Sequence, residues 1–170
     1  IQIVFQDPYR SLNPSRTVGQ SIVEGPVNFG TSETEARKRA EDLMKIVGLS
    51  ADALERFPHQ FSGGQRQRIC IARALAMEPR VLVADEAVSA LDVSVQAQVL
   101  KLLDDVRNRF DLAMLFITHD LRVAAQVCDR IMVMRQGVVV EQGPTSQVYA
   151  DPQHDYTKAL LAAAPGRRMF

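Results

Sequence analysis

The sequence predicts an α/β protein built on a parallel sheet, with a mainly helical subdomain inserted between core strands and an antiparallel hairpin later. Three observations carry that prediction. Short apolar runs alternate with helical patterns, the order that βαβ units require. The runs Val81–Asp85 and Ala113–Thr118 are continuously apolar, as suits strands buried on both faces. The stretch from Asn13 to Gln60 is instead mainly helical. Composition agrees: of 170 residues 46% are hydrophobic and 24% charged, which is globular rather than disordered.

Taken in order, Ile1 to Phe5 reads as the end of a buried strand, and Gln6 to Pro14 (QDPYRSLNP) as a loop dense in turn formers. Ser32-x-x-Glu35 is a capping box that opens a helix, and Gly48 is its stop. A short helix is expected over Ala51–Arg56, broken by Pro58. Ser62 is the N-cap of a helix from Gly63 to about Met77, ended by Pro79. After the strand Val81–Asp85, Asp92 caps a helix from Val93 to about Arg109. The strand Ala113–Thr118 follows, then a short helix capped by Asp120 and running to about Val127. Arg130–Arg135 and Val138–Gln142 flank Gln136-Gly137, a hairpin signal. A last helix is expected over Asp155–Ala164. Neither an internal repeat nor a low-complexity segment interrupts this order.

Several function classes are disfavoured at once. Lys+Arg and Asp+Glu number 20 each, so the net charge of zero argues against a basic nucleic-acid footprint. No apolar run is long enough to span a membrane. The opening IQIVFQDPYR lacks the regions of a signal peptide. It also begins without an initiator Met inside a strand-like run, so an upstream portion is expected. Cys70 and Cys128 are too few for a disulfide scaffold or a Cys-only metal site.

Four elements carry chemistry. Phe61-Ser62-Gly63-Gly64-Gln65 opens a helix, where glycines let backbone N–H groups approach an anion and the helix dipole favours it. The same pentapeptide also reads as a plain N-cap and turn. Val81–Asp85 and Glu86 place two acids at the end of an apolar strand. Asp85 suits Mg²⁺ and Glu86 suits activation of water; a solvated strand end is the alternative. His119, in Thr118-His119-Asp120, is positioned to reach a phosphate or to be a surface residue beside a cap. Gln6, at a strand end, offers an amide oxygen to a metal.

Together, the order, spacing and context of these elements resemble the nucleotide-binding subunits of ATP-binding-cassette (ABC) transporters over essentially the whole chain. FSGGQRQR is similar to that family's signature motif, with Phe61 where leucine is usual. VLVADE resembles its Walker B strand and catalytic acid, Ser89-Ala90-Leu91-Asp92 its D-loop, Gln6 its Q-loop glutamine and His119 its switch histidine. FQDPYRSLNP, PHQFSGGQRQR, DEAVSALDVSVQAQ and HDYTKALLAAAP resemble the oligopeptide, dipeptide and nickel importer branch. Ala87 departs from that pattern, where many members have proline, and Asp155 departs within the tail motif. These departures bear on the substrate branch and not on the ATPase class. No G-x-x-x-x-G-K-[ST] phosphate loop occurs. In the family it lies upstream of the Q-loop, as does the aromatic that stacks on adenine.

The resemblance implies a P-loop-NTPase-like core with its N-terminal part missing. It divides the chain into 1–12 (core strand end and Q-loop), 13–77 (helical subdomain), 78–150 (catalytic core) and 151–170 (the start of an importer-type extension). It implies ATP and Mg²⁺ as cofactors, and a head-to-tail pair of subunits. Ser62, Gly63, Gly64 and Gln65 would meet ATP held by the opposite subunit. Asp85 and Gln6 would serve Mg²⁺, Glu86 would activate water, His119 would clamp the γ-phosphate, and Ser89 and Asp92 would link the two sites. It further implies permease subunits, indirectly a solute-binding protein, no nucleic acid, and a peripheral place on the cytoplasmic face of the cell membrane. A non-transport ABC-type ATPase, or a pairing module unable to hydrolyse ATP, is the alternative. His59 and Cys70 read as structural, Cys128 as a buried helix-end residue, His154 as lacking metal-ligand partners, and Arg66 and Arg68 as a solvated helix face with an interface role also open.

Overall fold

A computed structural model describes residues 1–163 and divides the chain into two bodies, Ile1–Ile117 and a second beginning at Thr118. In the first body, strands β1 (Gln2–Val4), β2 (Val81–Asp85) and β3 (Ala113–Ile117) form a parallel sheet in the order β1-β2-β3. The register rows Gln2↔Leu82↔Met114, Ile3↔Val83↔Leu115 and Val4↔Ala84↔Phe116 alternate between the two faces. Val4, Leu82 and Ala84 are at most 1% exposed, whereas Ile3, Leu115 and Ile117 are 40–44% exposed. The expectation of strands buried on both faces is therefore corrected. Among the described residues the sheet buries one face, and the apolar residues at the alternate positions are half-open.

Between β1 and β2 lie helices α1 (Pro8–Ser11), α2 (Val18–Asn28), α3 (Glu33–Ile46) and α4 (Gly63–Leu75), with two short 3-10 turns at Ala51–Glu55 and Pro58–Gln60. Helix α5 (Val93–Phe110) is the crossover from β2 to β3. Local chemistry sets these boundaries. Thr17 and Gln20 form a capping box on α2. Ser32 caps α3, accepting from the Glu35 N–H at 3.2 Å, but Glu35 pairs with Arg39 at 3.6 Å, so only the cap half of the expected box forms. The stop of α3 is a Schellman motif: Gly48 has φ +75°, its N–H donates to Lys45 O, and the Leu49 N–H donates to Met44 O. Leu43, Met44, Leu54, Ile69 and Ile71 form the core of this helical region, each at most 4% exposed.

The segment expected to be a loop from Gln6 to Pro14 contains α1. Its Asp7 carboxylate accepts the Tyr9 and Arg10 N–H groups, and Pro8 sits at the first helical position. An Asp-Pro pair that signals a turn signals a helix start equally well. Helix α4 ends at Leu75, short of the expected Met77.

The second body contains α6 (Leu121–Val127), the hairpin β4 (Arg130–Arg135) and β5 (Val138–Pro144), α7 (Thr145–Ala150) and α8 (Asp155–Ala163). Gln136 (φ 51°) and Gly137 (φ 80°) make its tight turn. Helix α7 was not expected, because it starts straight from a strand at Pro144 without a side-chain cap. Cys128 is half-buried rather than buried; its carbonyl accepts the Thr145 hydroxyl at 2.6 Å. The start of α8 is tied to β5, where the Glu141 carboxylate accepts the Gln153 and His154 N–H groups at 2.8 and 3.0 Å. The expected last residue of this helix, Ala164, lies outside the described residues.

Candidate functional site

Three parallel strands end at one edge, and the chemistry-bearing residues of the first body collect there. β2 closes on Asp85, Glu86 follows it, and Gln6 stands two residues past the end of β1. β1 and β2 pair in parallel, so the two strands end on the same side of the sheet. An amide oxygen and two carboxylates thus share the C-terminal edge of a parallel sheet, where ligands bind in open α/β folds.

Glu86 has a left-handed backbone, φ 49°. For a residue with a Cβ this costs roughly 1–2 kcal/mol and persists only where neighbours over-determine it. Here they do. The Glu86 N–H donates to Ile117 O at 2.9 Å, and the Glu86 carbonyl accepts both the Ser89 N–H and the Ser89 hydroxyl at 3.0 Å. Ser89, expected to link sites between subunits, therefore has a task inside the chain: it holds the backbone of Glu86. Asp92 likewise caps α5, accepting the Val95 N–H at 3.0 Å and the Ser94 hydroxyl at 2.8 Å. These hydrogen bonds, Val95 first, hold the Asp92 carboxyl below the usual carboxylate range.

The Ser62–Gln65 loop opens α4 as a full capping box. The Gln65 N–H donates to Ser62 Oγ at 3.3 Å and the Ser62 N–H to Gln65 Oε1 at 3.0 Å. The Ser62 oxygen is used as an acceptor, so its hydroxyl proton is left for another oxygen. Gly63 and Gly64 occupy the first turn, where N–H groups have no intrahelical acceptor. A Cβ on Gly63 would meet only Leu91 Cδ2, at 3.9 Å. A Cβ on Gly64 would collide with Val95 Cγ1. Gly64 is therefore required by packing against α5, whatever else it does, and the Ser62–Gln65 loop sits beside the Ser89–Asp92 loop of the same chain.

His119 belongs to the second body and is exposed, immediately before α6. Its neighbour Asp120 is held down in pKa first by the hydrogen bonds from the Arg122 guanidinium, at 3.0 and 3.2 Å.

The reading of Arg66 and Arg68 as a solvated face is overturned. Arg66 is 7% exposed, donates to Pro58 O at 2.7 Å and lies 3.7 Å from the centre of the Tyr9 ring. Arg68 donates to Val47 O at 3.1 Å and to Gln98 at 2.8 Å. Cys70 is core, and burial pushes its thiol up to about 11. His59 stacks on Phe57, and the His154 Nδ1 accepts the Tyr156 N–H. Val95 and Gln67 were missed by sequence reasoning, since nothing local marks an ordinary helix residue as the neighbour of a distant loop.

The donors fit a hard cation and a polyphosphate. Asp85 and Gln6 offer oxygens only, and no group of three or more His, Cys, Asp or Glu among the described residues suffices to hold a metal alone. That is the donor set of an ion completed by water and phosphate oxygens, the habit of Mg²⁺.

Comparison with known proteins places the chain in a family. The family model for ABC transporters matches residues 1–89. The dipeptide transport ATP-binding protein DppF of Haemophilus influenzae is 53% identical over 167 residues, 97% of this chain and 51% of that protein. The glutathione import ATP-binding protein GsiA of Pectobacterium atrosepticum is 51% identical over 166 residues, 97% of this chain and 27% of that protein. The solved structure of cbiO1 from Clostridium perfringens, part of the ABC transporter complex cbiONQ, superposes with a TM-score of 0.79 at 35% identity, over 88% of this chain and 59% of that one. The chain spans about half the length of the first of these curated relatives and about a quarter of the second. By its matched family model and by these relatives, the chain belongs to the ABC transporter family.

Proposed function

We propose that the chain is part of an ATP-hydrolysing subunit that energises import of peptides or related small solutes. The observation that carries this is the shared sheet edge of Gln6, Asp85 and Glu86, in a body where the glycine loop Ser62–Gln65 opens the adjoining helix. The names of the dipeptide and glutathione relatives support the solute class.

In this reading Glu86 takes a proton from the attacking water, its direction set by the three hydrogen bonds on its own backbone. Asp85 and Gln6 hold Mg²⁺, which when bound neutralises charge on the phosphates. Ser62, Gly63, Gly64 and Gln65 present N–H groups and a hydroxyl to the γ-phosphate of ATP carried by a second subunit. His119 clamps the γ-phosphate of the ATP on its own subunit's side, and Ser89 and Asp92 lie at the subunit junction. No G-x-x-x-x-G-K-[ST] cradle for the β- and γ-phosphates occurs in these 170 residues. Permease subunits bind the helical region. Among the described residues no helix is long and apolar enough to cross a membrane. The place proposed for such a subunit is the cytoplasmic face of the cell membrane, beside its permease. The test is Glu86→Gln in the full-length protein: ATP binding persists and turnover collapses, whereas near-normal single-turnover hydrolysis overturns the assignment.

A further inference from the structure

Helix α4 carries polar side chains on its buried side that no phosphate contact requires. Gln67 is fully buried, at 0% exposure. Its Nε2 donates to the Phe5 carbonyl at 3.3 Å, and its Oε1 has no hydrogen-bond partner among the described residues. A leucine of similar volume would remove the unmatched oxygen but would also strip the Phe5 carbonyl of its donor, so the two terms oppose each other and net stability gives no preference for glutamine here. What the amide adds is one bond, to the carbonyl immediately before Gln6.

Two neighbours on the same helix reach the same stretch of chain. Arg66 stacks on Tyr9, and the Arg73 guanidinium donates to the Ser11 carbonyl. Phe5 to Ser11, with Gln6 inside it, is thus fastened to α4 at three points, and α4 begins with the Ser62–Gln65 loop.

We propose that Gln67 is a positioning residue for Gln6: its amide locks the Gln6 segment to the helix that presents the Ser62–Gln65 loop, so that the two loops move as one unit. Arg66 and Arg73 secure the far end of the same segment. The proposal rests on the reading of Gln6 as the Mg²⁺-side amide.

The experiment compares Gln67→Leu, Gln67→Met and Gln6→Ala with the unaltered full-length protein. Three quantities are measured: the thermal midpoint, hydrogen exchange of the Gln6–Ser11 amides, and the Mg²⁺ concentration giving half-maximal ATPase rate. Gln67→Leu should move the midpoint little, and should speed exchange of that segment by about threefold, the scale of one net hydrogen bond. It should also raise the half-saturating Mg²⁺ in the same direction as Gln6→Ala, by about threefold on the same grounds. Unchanged exchange and unchanged Mg²⁺ dependence in a folded variant overturn the proposal. If Gln67→Leu fails to fold, Gln67→Met decides. A lowered midpoint with unaltered exchange and Mg²⁺ dependence makes Gln67 a packing residue and also overturns it. If Gln6→Ala itself leaves the Mg²⁺ dependence unmoved, the assignment of Gln6 fails, and the exchange of the segment alone decides whether Gln67 locks it.

Discussion

The Ser62–Gln65 loop and the end of β2 both face outward from the same body, yet they are built on opposite terms. In the proposed function the chemistry at Gly63 and Gly64 lies in backbone N–H groups, and at Gly64 a side chain is excluded by Val95 of α5. At Asp85 and Glu86 the proposed chemistry lies in the carboxylates, and the backbone of Glu86 adopts an unfavourable φ. The loop spends no conformational strain on its task and depends on a close approach between helices. The strand end accepts strain and depends on a hydrogen bond from Glu86 N–H to the Ile117 carbonyl and on two from Ser89 to the Glu86 carbonyl. Substitutions in the two places should therefore fail differently.

The largest contrast is Glu86→Gln. The amide keeps the shape and the backbone bonds, so the melting temperature should hold while turnover falls by at least about 10²-fold, the scale of a lost general base. A variant that loses stability and rate together would mean that the carboxylate is structural. At the loop the order reverses. Gly64→Ala should lower stability by about 1–3 kcal/mol through overpacking, and Val95→Ala in the same chain should restore much of it. Chemical denaturation of the four combinations measures that coupling. If the double variant is stable but no longer pairs with a second subunit in ATP, the trans contact needs a bare Gly64 as well.

Ser62→Ala comes next, with an expected loss of about 1 kcal/mol for a missing cap, against only a few tenths for Ser62→Gly. Equal losses for the two would show that the capping box contributes little. The smallest effect concerns Asp92, whose folded-state pKa is depressed. Its contribution is present above the unfolded value, about pH 4, and is lost as pH falls through the folded one. The stability gap between the unaltered protein and Asp92→Ala should therefore narrow with acidification below about pH 4. A gap that widens there would reverse the sign assigned to this carboxyl.

What could be read in advance divides along physical lines. Ser32, Ser62, Asp92 and Asp120 all cap helices where their sequence context indicated, because an N-cap is decided within three or four residues. The acids at the end of Val81–Asp85 were legible for the same reason, since an apolar run fixes a strand and its end. The contacts that organise the site were not. Gln67 reaches Phe5 across 62 positions, and Gly64 meets Val95 only once α4 and α5 pack together. Arginines at positions 66 and 68 looked solvated because charge is a strong local prior, which the Tyr9 ring and the Pro58 and Val47 carbonyls override. Helix α1 hid inside a turn-rich segment because caps and turns use the same residues.

The left-handed backbone at Glu86 has a consequence for engineering. Glycine is the residue that relaxes such a conformation, and asparagine tolerates it better than glutamate. Relief of that backbone strain pulls toward those replacements at position 86 and against the carboxylate that the proposed function requires. Under that function backbone strain and turnover are opposing terms at this position, and any library that varies it has to be sorted on both.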